Sequence, residues 1–155
     1  MAFVTEEEKR TREGILRPRY ETEEDRSGET AVLASLCRRW GCSAKKLSDR
    51  YELDYLLLKE RQGKAWLEIK IRTNEYDAYP TYMISFGKVL AARRLSQGSE
   101  LPSFLLVQWT DCKGYTRLDD LKGFHVSIGG RTDREDFQDV EPVVYIPTQD
   151  FIRLE

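Results

Sequence analysis

The sequence predicts an α/β fold, a central mixed β-sheet flanked by helices with a strand-rich C-terminal extension. Three observations carry this. Val32, Leu33, Leu36, Cys37 and Trp40 fall at helical spacing, and two apolar runs, Tyr51–Lys59 and Lys64–Arg72, follow with only a short turn between them. An Ala/Leu/Arg-rich helical segment then precedes the continuous apolar run Phe104–Trp109, which has the character of a buried strand. Helix, hairpin, helix, buried strand is the order of a layered α/β domain. A chain of 155 residues, 40% hydrophobic and 34% charged, supplies the core of one such domain and not of two.

Residues 1–22 are dense in charge and read as a tail or a peripheral helix, leaving 23–155 as a single domain. The first helix runs from about Thr22 to Gly41, a helix stop, with Arg38 and Arg39 off its apolar face. Residues 42–48 fit a loop or a short edge strand. The next two runs, rich in Leu, Ile, Tyr and Trp, form a hairpin about the turn Glu60–Gly63. Asn74–Pro80 is a loop, and Thr81–Ser96 reads as a second helix stopped by Gln97-Gly98-Ser99. After Phe104–Trp109, shorter strands are expected at Tyr115–Leu118, Phe124–Ile128 and Val143–Ile146. Gly129-Gly130 and the acidic stretch Asp133–Glu141 lie between the last two as loops.

The formal charge of −2 averages unlike regions. Residues 31–98 carry 13 basic against 7 acidic side chains, while both ends are acidic, so the total does not exclude a polyanionic partner for the central segment. No apolar stretch is long enough for a membrane span and residues 1–14 hold no apolar leader core, so a cytoplasmic protein without a membrane partner is expected. Three cysteines do not make a disulfide framework. Cys37, Cys42, Cys112 and His125 lack the paired spacing of a zinc site, and one histidine with no Gly-x-Ser-x-Gly pattern gives a serine triad no support. His125 reads as an ordinary sheet residue.

The chemistry concentrates on Trp66-Leu67-Glu68-Ile69-Lys70-Ile71-Arg72. Alternation sends Leu67, Ile69 and Ile71 to one face and Glu68, Lys70 and Arg72 to the other. Across the hairpin, Asp54 stands in an apolar strand, where a lone carboxylate is costly to bury. Two carboxylates brought together in this way can share a divalent cation, with a neighbouring lysine to hold or polarise a water. At 100° per residue Glu29 falls within the stripe of Val32, Leu33, Leu36 and Trp40 and points at the sheet. With Ser27 as N-cap the same glutamate would also lie in the first turn and favour the helix dipole. Lys88, at the margin of the stripe formed by Ile84, Ala91 and Leu95, reaches over the same face.

Asp54 and, after thirteen intervening residues, Glu68-Ile69-Lys70 on an apolar strand resemble the PD-(D/E)XK nuclease superfamily, the restriction-endonuclease-like fold. The order αβββαβ is similar to that superfamily's core and spans roughly residues 29–110; Leu53 stands where the motif's proline would be. The resemblance implies a metal-dependent nuclease that hydrolyses phosphodiester bonds. Asp54, Glu68 and the Ile69 backbone carbonyl would hold Mg²⁺ or Mn²⁺, Glu29 would complete the metal shell, and Lys70 would position or activate the attacking water. It further implies DNA in preference to RNA as substrate, and a homodimer as in many relatives. Small stand-alone members are often phage or mobile-element endonucleases or Holliday junction resolvases, which for a phage protein means the host cytoplasm.

Arg72, Tyr76, Tyr79, Tyr82 and Lys88 are the candidates for contact with nucleic acid, the rings by stacking on bases or packing a ribose and the cations by meeting phosphate. Each reading has a plainer counterpart. Glu68 and Lys70 would suit a solvated strand face, the tyrosines would cover the open end of a sheet, and Arg72 would be an idle strand-end residue. The alternative of another class is a non-catalytic module that binds nucleic acid or protein on the same fold, against which the intact Asp54, Glu68 and Lys70 argue.

Overall fold

The computed structural model describes residues 23–122, 124–130 and 140–154; the charged segment 1–22 and most of the expected acidic loop lie outside the described residues. Helix α1 (Glu23–Trp40) begins before Ser27, so Ser27 is an interior residue rather than the N-cap and Glu29 lies beyond the first turn. Gly41, with φ of 63°, takes the chain out of the helix in a conformation that glycine adopts without a Cβ penalty. The ambiguous stretch that follows forms an edge strand, β1 (Ser43–Lys46).

The hairpin consists of β2 (Tyr55–Lys59) and β3 (Gln62–Ile71), antiparallel and joined by Glu60-Arg61 alone. Both turn residues have positive φ, 54° and 65°, which matches the twist of paired strands but strains side chains other than glycine. The first run is shorter than its composition suggests. Tyr51–Asp54 precede β2, and Asp54 stands at the strand's threshold rather than inside it.

The segment expected to be one helix from Thr81 to Ser96 divides into β4 (Thr81–Ser85) and α2 (Phe86–Ser99). Tyr82 and Ile84 are buried while Thr81, Met83 and Ser85 are partly exposed, a period of two that the Ala/Leu/Arg content of the following residues masks. Ile84 is therefore a strand residue and not part of the α2 stripe. Next come β5 (Ser103–Gln108), β6 (Lys113–Arg117), β7 (Val126–Gly130), β8 (Val140–Pro147), a short 3₁₀ turn Thr148–Asp150 and β9 (Ile152–Arg153).

Six strands form one sheet in the order β1-β2-β3-β5-β6-β9, mixed because β3 and β5 run parallel while the other pairs are antiparallel. The expected C-terminal extension contributes to a second, antiparallel sheet, β4-β8-β7. The central sheet is covered on both faces. On one, Val32 and Leu36 of α1 pack with Leu57, Leu67, Ile69 and Leu106; on the other, Val89 and Ala92 of α2 pack with Leu105, Val107, Trp109 and, from the second sheet, Ile84, Val144 and Ile146. The Glu68 face of β3 is thus interior, not solvated. A Cβ on Gly28 would come within 2.9 Å of the Ile71 side chain, so α1 passes close over the C-terminal end of β3 and carries Glu29 to that end.

Candidate active site

Where β2 begins late, β3 runs on paired with β5 but with no strand on its β2 side. Asp54 fills that place. Its N–H donates to Leu67 O at 3.1 Å, its carbonyl accepts the Leu47 N–H at 2.9 Å, and its side-chain Oδ2 accepts the Ile69 N–H at 2.9 Å. In a strand the N–H and C=O of one residue point the same way. The neighbours Trp66 and Arg72 donate to Pro102 O and Gln108 O on the β5 side, so Ile69, of opposite parity, presents its carbonyl on the Asp54 side.

Glu68 points to the α2 face and is fully buried. Lys70 Nζ lies 2.9 Å from its Oε1, and Lys88 Nζ lies 3.2 Å from Oε1 and 3.3 Å from Oε2. Lys88 also donates to the Glu52 carbonyl. Despite the two ammonium groups, Glu68 Oε1 makes no hydrogen bond of ordinary geometry. Burial pushes the Glu68 carboxyl above its usual range, against the pull of Lys70 and Lys88, and the nearby Asp54 charge adds to the rise. Glu68 in turn holds the Lys70 ammonium well above its ordinary value, in spite of burial.

Glu29 reaches this end of the sheet by way of Lys46. The Lys46 ammonium lies 3.3 Å from Glu29 Oε1, 3.9 Å from Asp54 Oδ1 and 4.6 Å from the centre of the Tyr55 ring. Lys46 and Glu52 are the members of this cluster that the sequence did not indicate. Lys46 becomes legible only from the pairing of Lys46 with Tyr55 across β1 and β2.

The structure therefore gathers Asp54, Glu68, Lys70 and the Ile69 carbonyl, with Glu29 one ammonium away. Among the described residues no three acidic, histidine or cysteine side chains form a ready metal cluster, Cys37, Cys42 and Cys112 being free thiols. The donors that would suit a hard cation are carboxylate oxygens of Asp54 and Glu68 and one carbonyl, Glu68 Oε1 being buried with two ammonium groups beside it. Lys46, Lys70 and Lys88 meanwhile balance the negative charge.

The remaining candidates divide. Lys88 is engaged with Glu68 and Glu52, which makes it a brace for the carboxylate. Arg72 donates to Met83 O at 3.2 Å and lies over the Tyr82 ring at 4.6 Å, joining the two sheets. Arg72, Tyr76, Tyr79 and Tyr82 do come together, around a cavity of about 360 Å³ next to the Lys70 end of β3.

A family model described as phage putative PDDEXK endonuclease matches residues 15–154. Among solved structures the chain is similar to Hjc, a Holliday junction resolvase from the archaeal hyperthermophile Archaeoglobus fulgidus, with a TM-score of 0.54 and 13% identity over 81% of this chain and 88% of that one. That likeness is one of fold. No curated protein sequence matches the chain.

Proposed function

The chain belongs to the phage putative PDDEXK endonuclease family, and from that premise we propose that it is a metal-dependent endonuclease hydrolysing phosphodiester bonds in DNA, working in the host cytoplasm. The observation that carries the reading is Glu68. A glutamate with no exposed surface, gripped by two lysines beside Asp54, is costly to bury and has no packing role that an apolar residue would not fill better.

Asp54, Glu68 and the Ile69 carbonyl would hold the ion, Mg²⁺ or Mn²⁺ by the hardness of the donors. Bound there, it would neutralise charge on the phosphoryl oxygens and lower the pKa of a bound water. Lys70, whose ammonium form the neighbouring Glu68 favours, would orient the attacking water or stabilise charge on the phosphoryl group. Lys88 keeps Glu68 aimed. Lys46 holds Glu29 near Asp54, where Glu29 would complete the shell of a bound ion. Tyr79, exposed beside Arg72, would meet the strand being cut, while Tyr76 and the buried Tyr82 support it from within and make no direct contact of the kind their sequence positions suggested.

Incubation with supercoiled, linear, single-stranded and four-way-junction DNA, in Mg²⁺, in Mn²⁺ and in EDTA, tests this. Cleavage that needs the metal and is lost in Glu68→Gln and Lys70→Ala supports the reading. Metal-dependent cleavage that persists in both variants removes these residues from the site, and DNA binding without cleavage in any metal favours a non-catalytic binding module.

A further inference from the structure

Arg72 shares a face of β3 with Glu68 and Lys70, and beyond it the two sheets meet around the cavity of about 360 Å³. Its inner wall is fixed. Tyr76 meets Trp109 edge-on at 5.1 Å and donates its hydroxyl to Thr148 O at 2.7 Å; Tyr82 meets Trp109 edge-on at 6.2 Å and is itself buried. Its outer rings are different. Tyr79, 63% exposed, and Tyr145, 36% exposed, make no ring contact among the described residues. Two aromatic side chains left open over a rigid aromatic wall offer stacking surface for another planar ring.

The polar groups narrow the ligand. Among the described residues the lining holds a cation, Arg72, and no carboxylate. The Tyr82 hydroxyl is buried, with the Arg72 guanidinium over its ring, and makes no hydrogen bond of ordinary geometry, and a group of this kind calls for an explanation. Arg72, two residues beyond Lys70 along the chain, lines the cavity, which places it beside the centre that would cut. The volume lies near the lower end of the roughly 300–1,000 Å³ typical of small-molecule sites, room for one nucleoside and not for a duplex. A base paired and stacked within a duplex cannot offer its faces to such a pocket; an unpaired one can.

We propose that this cavity captures one unpaired nucleobase of the strand presented to Asp54, Glu68 and Lys70, so that the protein prefers DNA with a flipped, bulged or single-stranded nucleotide at the cut over intact duplex. The inference rests on the nuclease reading for the strand's fate, but its binding step can be measured without cleavage. The test uses the whole protein in EDTA with 2-aminopurine placed in a one-nucleotide bulge, at the same position fully paired, and in a single strand. Binding is expected to quench the bulged and single-stranded probes and to favour both over the paired duplex. Tyr79→Ala should reduce that preference roughly 5- to 150-fold, the worth of one stacked base, and Tyr79→Phe should keep it.

Tyr79 is exposed enough that its substitution does not threaten the fold, and Tyr145→Ala provides an independent second variant. Equal affinity for bulged and paired DNA without quenching, or a preference untouched in both alanine variants, overturns the proposal. Base capture by a protein that cuts no DNA in Mg²⁺ or Mn²⁺ overturns the nuclease reading alone, and cleavage with no preference for an unpaired base overturns the pocket alone.

Discussion

Asp54 Oδ2 accepts the backbone N–H of Ile69 at 2.9 Å, a side chain standing in for the strand that begins one residue later. That bond closes an open ladder position, and it fixes one carboxylate oxygen so that the other faces Lys46.

The two roles of Asp54 separate by substitution. Asp54→Ala leaves the Ile69 N–H without an acceptor and should lower stability by about 1–2 kcal/mol. Asp54→Asn retains an acceptor oxygen and should stay within about 1 kcal/mol of wild type while losing cleavage. Urea unfolding alongside a nicking assay checks both; an inactive Asn variant as unstable as the Ala variant would show that the carboxylate matters for folding alone.

Glu68 faces two ammonium groups from inside the core. Glu68→Ala strands Lys70 and Lys88 beside a cavity and should cost about 3 kcal/mol, since both lysines recover part of their hydration at the surface. Glu68→Gln keeps the volume and should cost less. Denaturant midpoints of the two variants rank them, and equal midpoints would mean that the charge, which both variants lose, rather than the packing sustains this face.

The Glu60-Arg61 turn is a local conflict that function does not require. Both residues sit at positive φ, and Arg61→Gly removes that strain at a smaller cost in chain entropy, a gain of up to about 1 kcal/mol. Thermal unfolding should shift upward by about 2–4 °C with cleavage unaltered. A fall in the midpoint would show that the Arg61 side chain supports the hairpin.

Asp119 ties β6 to the start of β5. Burial opposes its ionisation, but the Arg117 guanidinium, at 2.9 and 2.7 Å, and the Ser103 N–H, at 3.0 Å, outweigh burial and hold its carboxyl below the usual value. A depressed folded pKa gives stability that is complete above the unfolded value near ~3.9 and is lost as pH falls through the folded value. Wild type should therefore exceed Asp119→Asn by a constant margin above about pH 4.5, and the two should converge in stronger acid. Parallel curves throughout would exclude the carboxylate as the source.

The elements that period and composition describe well were legible: α1 with its stop at Gly41, the hairpin, the buried β5 and the alternation that puts Glu68, Lys70 and Arg72 on one face. Tyr82 and Ile84 were not, because five residues of period two are short beside the helical content of Val89–Leu95. Lys46 was hidden for another reason. A polar edge strand such as Ser43–Lys46 has no apolar pattern, and only its register against Tyr55 brings its last lysine between Glu29 and Asp54. The burial of Glu68 likewise depends on α2 and the second sheet closing over a face that an isolated hairpin would leave wet.

The rate of supercoiled-DNA nicking by Asp54→Asn against wild type in Mg²⁺ decides whether Asp54, with Glu68 and Lys70, serves DNA hydrolysis with a divalent cation. Loss of a group that merely orients a metal ligand already costs about 10–100-fold, so loss of a ligand charge should slow nicking at least roughly 100-fold while folding is preserved. Nicking by the folded variant at the wild-type rate would remove Asp54 from the cleavage centre.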